Sequence, residues 1–186
     1  GGGVQYSRAV QDLTAFAVAH GIPVVETIAG RANLLDNHPL NIGPIGVTGS
    51  DSANAIAAQA DVILAVGTRL QDFTTGSWSA FSPDAKIISL NAARHDATKH
   101  ASIPLVSDAK LGLAALTIAM KTCVAPAAWR DLAQAERQGW NAYVATNTAA
   151  GNGPNSYARA IGVVNTLCDP RDRIVTAAGG LPAEIT

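Results

Sequence analysis

Polar side chains that could bind a ligand follow a run of apolar residues near the middle of the chain. Residues 62–66 read Val-Ile-Leu-Ala-Val, which is typical of a strand buried on both faces of a sheet. Gly67 ends the run, and Thr68, Arg69 and Asp72 follow it. In open parallel sheets, ligands bind beyond the carboxyl ends of the strands, and a glycine lets them approach the backbone. These side chains could therefore bind a phosphate, a ribose or a partner domain, although a polar surface loop after a buried strand explains the same pattern.

Other stretches could contribute to such a nucleotide-type site. Asn91 follows a second apolar strand at 86–90, and its neutral amide could hydrogen-bond a ribose hydroxyl, less strongly than a carboxylate would. The glycines within 46–49 precede a helix predicted to begin near residue 50, whose free amides could bind an anion. The glycines at 1–3 resemble a phosphate-binding loop, but the chain contains no Gly-x-Gly-x-x-Gly motif.

Alternating strands and helices must position these residues. Ser7 is expected to cap a helix that ends at Gly21, and residues 26–50 are expected to form a long irregular loop. The alternation predicts an α/β fold with a doubly wound, mostly parallel, Rossmann-like sheet and helices on both faces. Its helices are expected at 7–20, from Ser50 or Asp51, and from Ser107 or Asp108, and its strands at 24–25, 62–66, 86–90 and 103–106.

Changes in composition divide the chain into three parts. Residues 1–122 form the predicted domain, whose first strand is expected upstream of Gly1. Residues 123–154 are expected to be a connecting helix, near 127–145, and a linker. Residues 155–186 are expected to be the truncated start of a second α/β domain, with a helix followed by a strand at 173–178. Because both ends look cut, we expect a piece of a longer polypeptide.

Bulk composition excludes several classes of protein. The chain is 48% hydrophobic and 15% charged with a net charge of -1, so it can fill a core and lacks a basic surface for nucleic acid or anionic membranes. Its apolar runs are too short to span a bilayer. Cys123 and Cys168 form neither a disulfide framework nor a zinc motif, which fits a reducing cytoplasm. No catalytic triad, metal-ligand spacing or carboxylate pair is evident among the residues.

Many spaced positions together resemble the central domain of thiamine-diphosphate-dependent enzymes, such as acetohydroxyacid synthase and pyruvate oxidase. The resemblance covers most of residues 1–122, and the stretch at 174–180 resembles the first strand of the family's pyrophosphate-binding domain. The matching positions include Pro39, Gly43, Gly46, Gly49, Ala53-Asn54, Ala60-Asp61, Gly67-Thr68-Arg69, 83–88 and 106–110.

Within this family, the phrases at 26–31, 71–78 and 168–173 resemble the ring-opening hydrolases of inositol catabolism. The resemblance implies hydrolytic cleavage of a ring carbon–carbon bond in trihydroxycyclohexane-1,2-dione, a small-molecule substrate, to give 5-deoxyglucuronate. Thiamine diphosphate would supply the carbanion nucleophile, and Mg²⁺ would bridge its diphosphate to carboxylate and carbonyl ligands. The resemblance also implies a homo-oligomer.

The resemblance also implies what this chain lacks. The family's activating glutamate belongs to an N-terminal domain and its Gly-Asp-Gly metal motif lies beyond Thr186, so no catalytic or metal residue is expected here and the piece alone should be inactive. Gly179 and Gly180 correspond to a turn near the cofactor's diphosphate. Relatives that bind FAD use the loop matching 67–72 and an acid matching Asn91, which is not an acid here. An acetolactate-synthase-like enzyme with FAD, a non-catalytic nucleotide-binding module and a structural spacer remain alternatives.

Overall fold

The computed structural model describes residues 1–151, 156–169 and 171–172, and these fall into two compact units. The first unit comprises Gly1–Arg137 and the second begins at Gln138. The predicted strand at 173–178 and the turn at Gly179 and Gly180 lie outside the described residues. The division into domains at 122 and 154 stays a prediction.

The first unit alternates short strands with helices. Its strands are β1 (Val24–Glu26), β2 (Asn41–Pro44), β3 (Val62–Val66), β4 (Lys86–Asn91) and β5 (Ile103–Val106). Its helices are α1 (Gly3–Tyr6), α2 (Val10–His20), α3 (Asp51–Gln59), α4 (Asp72–Thr75), α5 (Arg94–Ala97) and α6 (Ala109–Ala119), with single 3-10 turns at Ile28–Gly30 and Lys99–Ala101. Helix α7 (Ala127–Thr148) begins in this unit, and α8 (Tyr157–Leu167) belongs to the second.

All described strand pairs are parallel, as the sequence predicts. Strand β1 pairs with β2, and β3, β4 and β5 pair in that order. Successive residues of β3 enter different cores: Leu64 and Val66 pack with α2 and α6, whereas Ile63 and Ala65 pack with α3. Helices therefore cover both faces, which confirms the doubly wound α/β fold.

The helix expected at 7–20 begins only at Val10 and is preceded by a separate short helix. Helix α1 ends at Tyr6, Arg8 adopts a left-handed conformation with φ 53°, and α2 begins after Ala9 without a side-chain cap. The break places Val4 and Ala9 in the core, where both are fully buried. The predicted cap at Ser7 is therefore wrong, because burial of Val4 and Ala9 moves the start of the helix to Val10, whereas the predicted left-handed cap at Gly21, with φ 61°, is confirmed.

Strand β2 lies within the segment that was expected to be irregular. Its sequence, Asn-Ile-Gly-Pro, carries little strand propensity, so no local signal marks it. It forms because Ile42 is fully buried and because β1 supplies the ladder. The Asn41 side chain also accepts from the amide of Gly43 at 3.0 Å, which stabilises the strand's irregular path.

Strand β3 is less buried than its apolar run predicts. Ala65 and Val66 are buried, but Val62 is 51% exposed and Ile63 and Leu64 are only partly covered. The expectation of a strand covered along its whole length is therefore wrong for its first three residues. The physical reason is an open edge: β4 pairs with one side of β3, and no other described strand pairs with the opposite side.

No helix within the described ranges combines the length and the apolar composition that crossing a bilayer requires.

Candidate functional site

A cleft of about 900 Å³ lies where β1, β3 and β4 end. Thr27 and Gly67, which directly follow β1 and β3, and Asn91, the last residue of β4, contribute to its wall. The N-terminal turn and the start of α6 complete it. This is the place where open parallel sheets bind ligands, because the loops after the strands converge there. Thr68 and Arg69 also line the cleft, so the structure brings together four of the five residues predicted for a nucleotide-type site.

Gly67 lies where the backbone of the N-terminal turn contacts the backbone at the end of β3, and only glycine fits there. Its φ is +58°, and a Cβ atom there would lie 2.7 Å from the Cα of Gly3. The Gly3 amide donates to the Gly67 carbonyl at 2.9 Å, and the Gly67 amide donates to the Leu90 carbonyl at 2.8 Å. The N-terminal turn therefore packs directly on the end of β3, which explains the glycine without any ligand.

Asn91 connects the loops that follow β3 and β4. Its side-chain nitrogen donates to the Thr68 carbonyl at 2.8 Å, and its side-chain oxygen accepts from the Ala93 amide at 2.9 Å. The Thr68 hydroxyl accepts from the Leu70 amide at 3.2 Å. Both polar side chains thus hold the rim of the cleft in shape, and the amide of Asn91 already has partners within the protein.

The charged groups of the cleft have mixed sign. Arg69 is exposed, and its carbonyl accepts from the Lys99 ammonium at 3.3 Å, which also pairs with Asp96 at 2.6 Å. Asp108 caps α6, and its pKa is lowered below the usual value by a hydrogen bond from the Ser7 hydroxyl and by amides of the first helical turn. The cleft therefore presents one guanidinium and two carboxylates.

The residues predicted for a nucleotide-type site and the residues that line the cleft overlap only in part, and the predicted roles stay predictions. Asp72 begins α4 and does not line the cleft, whereas Asp96 and Asp108 do. The cap signal identified Asp108 as a helix start, but only the approach of α1 to α6 brings it to the cleft. Gly179 and Gly180 lie outside the described residues. Within the described ranges, no group of three or more His, Cys, Asp or Glu side chains could hold a metal ion.

Comparison with known proteins agrees with this architecture. The family described as thiamine pyrophosphate enzyme, central domain, matches residues 1–116. A 3D-(3,5/4)-trihydroxycyclohexane-1,2-dione hydrolase of Geobacillus thermodenitrificans is 38% identical over 209 residues, covering 100% of this chain and 32% of the relative. A protein of the same name from Clostridium botulinum is 45% identical over 111 residues, covering 59% of this chain and 17% of the relative. The chain spans about a third of the length of the curated relatives that it matches throughout.

Proposed function

This chain belongs to the thiamine pyrophosphate enzymes, whose central domain it contains, and from that premise we propose that it is part of a trihydroxycyclohexane-1,2-dione hydrolase. The enzyme would cleave a ring carbon–carbon bond of the cyclic diketone and release 5-deoxyglucuronate. One observation carries the proposal: the similarity to hydrolases of that name covers 100% of this chain and so continues beyond residue 116, where the central-domain match ends.

The described residues do not form the cofactor site that such an enzyme needs. They contain no group of three or more His, Cys, Asp or Glu side chains that could hold a metal ion, and at the cleft the side chains of Asn91 and Asp96 already bind other groups of the protein. The described residues therefore do not by themselves fit thiamine diphosphate and Mg²⁺. We propose that the activating carboxylate and the metal ligands belong to other segments of the full-length polypeptide, and that Gly179 and Gly180 bind near the diphosphate.

Within that enzyme, the first unit would act as a scaffold that joins the catalytic domains. Its polar loops are tied to one another by the contacts of Gly67 and Asn91, which suits a rigid spacer. We further propose that the full-length protein is a cytoplasmic homo-oligomer. Both cysteines, Cys123 and Cys168, are free thiols, which supports a reducing compartment.

An assay of the full-length polypeptide tests the proposed reaction. We expect formation of 5-deoxyglucuronate from the cyclic diketone when thiamine diphosphate and Mg²⁺ are present, and no product when thiamine diphosphate is omitted. The product would be followed by chromatography against an authentic standard. Absence of turnover by folded protein with both cofactors would refute the assignment, and light scattering of the same sample would test the homo-oligomer.

A second candidate function is nucleotide binding in the cleft, with ADP or FAD as the ligand. The position and volume of the cleft favour it, and the exposed guanidinium of Arg69 could contact a phosphate. Two features oppose it: the amide of Asn91 is already hydrogen-bonded, and Asp96 and Asp108 would repel a diphosphate. FAD is therefore a weaker fit than the spacer function.

Two measurements separate these alternatives. One is flavin fluorescence of the supernatant after heat denaturation of the purified protein, and the other is calorimetric titration of the protein with ADP. If the cleft binds ADP, the Arg69→Ala variant should weaken binding by about tenfold, the effect of one charge-assisted hydrogen bond. The Arg94→Ala variant is the matched control, because Arg94 is exposed on α5 and does not line the cleft. Released flavin or saturable ADP binding would contradict a purely structural role.

A further inference from the structure

The wall of the cleft at the strand ends carries polar side chains with unused hydrogen-bonding capacity. Thr27 and Thr74 are half-buried in this wall, and neither hydroxyl has a partner among the described residues. The Thr68 hydroxyl accepts from the Leu70 amide, so its own hydrogen is free to donate. The Asn91 amide uses one of its two hydrogens to bind the Thr68 carbonyl. The cleft can therefore both donate to a ligand and accept from it.

The charges around the cleft balance one another. Asp96 pairs with the Lys99 ammonium at 2.6 Å. Among the described residues that line the cleft, the remaining charged side chains are Arg69 and Asp108, which have opposite sign. Neither an anionic nor a cationic ligand would therefore gain a large net Coulomb attraction. The charge distribution fits a ligand without net charge.

Two exposed aromatic side chains also line the cleft. Tyr6 is 95% exposed and Phe73 is 63% exposed. An aromatic ring supplies a large apolar contact area, which can pack against the C–H groups of a saturated ring and leave the hydroxyls of that ring free for polar contacts. The lining thus combines apolar contact with hydroxyl and amide groups, and recognition of a polyhydroxylated ring requires both.

Two of the three phrases that resemble the ring-opening hydrolases contribute to the same cleft. The phrase at 26–31 supplies Thr27 to its lining, and the phrase at 71–78 supplies Phe73 and Thr74. The relatives reported above are named for a trihydroxycyclohexane-1,2-dione, which is a six-membered ring with several hydroxyls. The likeness to proteins named for such a ring therefore includes the residues that give the cleft its polar and aromatic lining.

We infer that the cleft binds a neutral, polyhydroxylated six-membered ring, for which myo-inositol is the probe. Its hydroxyls donate and accept, as do the hydroxyls of Thr27 and Thr74, and its C–H groups pack on Phe73. The cleft volume of about 900 Å³ is within the usual range for ligand pockets and leaves room for bridging water around a single ring. The inference rests on the proposed function for the choice of ring.

Calorimetric titration of the full-length polypeptide with myo-inositol, in the absence of thiamine diphosphate, tests the inference. We expect saturable binding, and we expect cyclohexanol, which has a single hydroxyl, to bind at least about tenfold more weakly. Absence of myo-inositol binding, or equal affinity for cyclohexanol, would overturn the inference. Turnover of the cyclic diketone by a protein that does not bind myo-inositol would refute this inference alone, whereas binding without turnover would refute only the proposed reaction.

Two substitutions test whether the binding occurs in the cleft. Thr27→Val and Thr74→Val each remove one hydroxyl with little change in shape, and each should weaken myo-inositol binding by about fivefold. Thr14→Val is the matched control, because Thr14 is a half-buried threonine of α2 that does not line the cleft. Unchanged affinity in both cleft variants would overturn the inference, since the ligand would then bind elsewhere.

Hydrogen–deuterium exchange of the unmodified full-length polypeptide decides the question if the variants fail to fold. Saturating myo-inositol should slow exchange in peptides that cover 26–31 and 67–76 by at least about twofold, because the ligand contacts both loops. Exchange in peptides of α2 (Val10–His20) should not change. Equal exchange with and without myo-inositol in both loops would overturn the inference.

Discussion

The side chain of Asn54 should be one of the most consequential polar groups in the first unit. Its oxygen accepts from the Gly46 amide at 3.0 Å, and its nitrogen donates to the Gly46 carbonyl at 3.0 Å. The sequence predicts a bond from Asn54 to a loop carbonyl, because a polar residue stands there among alanines, and the structure confirms that bond. The second bond means that one side chain satisfies both backbone groups of Gly46.

Gly46 in turn positions one wall of the cleft. Its φ is +115°, and a Cβ atom at this position would collide with the Phe73 carbonyl. That carbonyl accepts from the Val47 amide at 2.8 Å, and both Phe73 and Thr74 line the cleft. Asn54 therefore holds the turn that supports the end of the loop after β3.

The cost of replacing Asn54 by leucine follows from these two hydrogen bonds. Each contributes a net of about 0.5–1.5 kcal/mol, so their loss should reduce the free energy of unfolding by about 1–3 kcal/mol. For a domain of this size, each kcal/mol lowers the melting temperature by about 2–4 °C. A loss near the middle of the range therefore predicts a decrease of about 6 °C for Asn54→Leu.

Thermal unfolding followed by circular dichroism measures this decrease. Asn54→Asp retains the acceptor but loses the donor, so it should cost about half as much. Gln59→Leu is the matched control, since Gln59 is an exposed amide on the same helix and its side chain donates to the Ala55 carbonyl one turn away. A melting temperature for Asn54→Leu equal to that of Gln59→Leu would show that the bridge to Gly46 does not stabilise the fold.

Three further predictions concern Leu90 in the core, Gly67 at the contact between β3 and the N-terminal turn, and Asp108 at the start of α6. Leu90→Ala should reduce the free energy of unfolding, measured in urea, by about 2–5 kcal/mol, because Leu90 is fully buried in the core that β3 forms with α2 and α6. A smaller reduction would mean that the surrounding side chains close the cavity. Gly67→Ala should lower the melting temperature, since its φ is +58° and the added Cβ would lie 2.7 Å from the Cα of Gly3; an unchanged value would show that the N-terminal turn moves away freely. The pKa of Asp108 is lowered in the folded protein, by the Ser7 hydrogen bond above all, so its stabilising effect should be present above the usual value of 3.8 and disappear as the pH falls below it. The melting temperature of Asp108→Asn should therefore be lower than that of the wild type at neutral pH and equal to it in acid. A difference in melting temperature that does not change with pH would contradict this prediction.

Local sequence was sufficient for the elements whose signals lie within their own residues. The apolar runs of β3 and β4 predicted both strands, and the glycine at 21 predicted the end of α2. A strand is marked by its own run of apolar residues, and a helix end by a glycine that can adopt positive φ, so both signals can be read within a few residues of sequence. The family resemblance added the thiamine-diphosphate assignment, which the comparisons confirm for the central domain.

Only the tertiary structure decided the features that depend on distant partners. Strand β2 has poor strand propensity and forms beside β1, and the break at Arg8 buries Val4 and Ala9. In the candidate site, too, some features could be predicted from the sequence and others only from the structure. Sequence order placed Gly67, Thr68, Arg69 and Asn91 at strand ends, but only packing showed that Asn91 binds the Thr68 carbonyl. No pattern in the sequence marks a hydrogen bond between loops that are far apart in the chain, because each of the two polar groups could equally bind water.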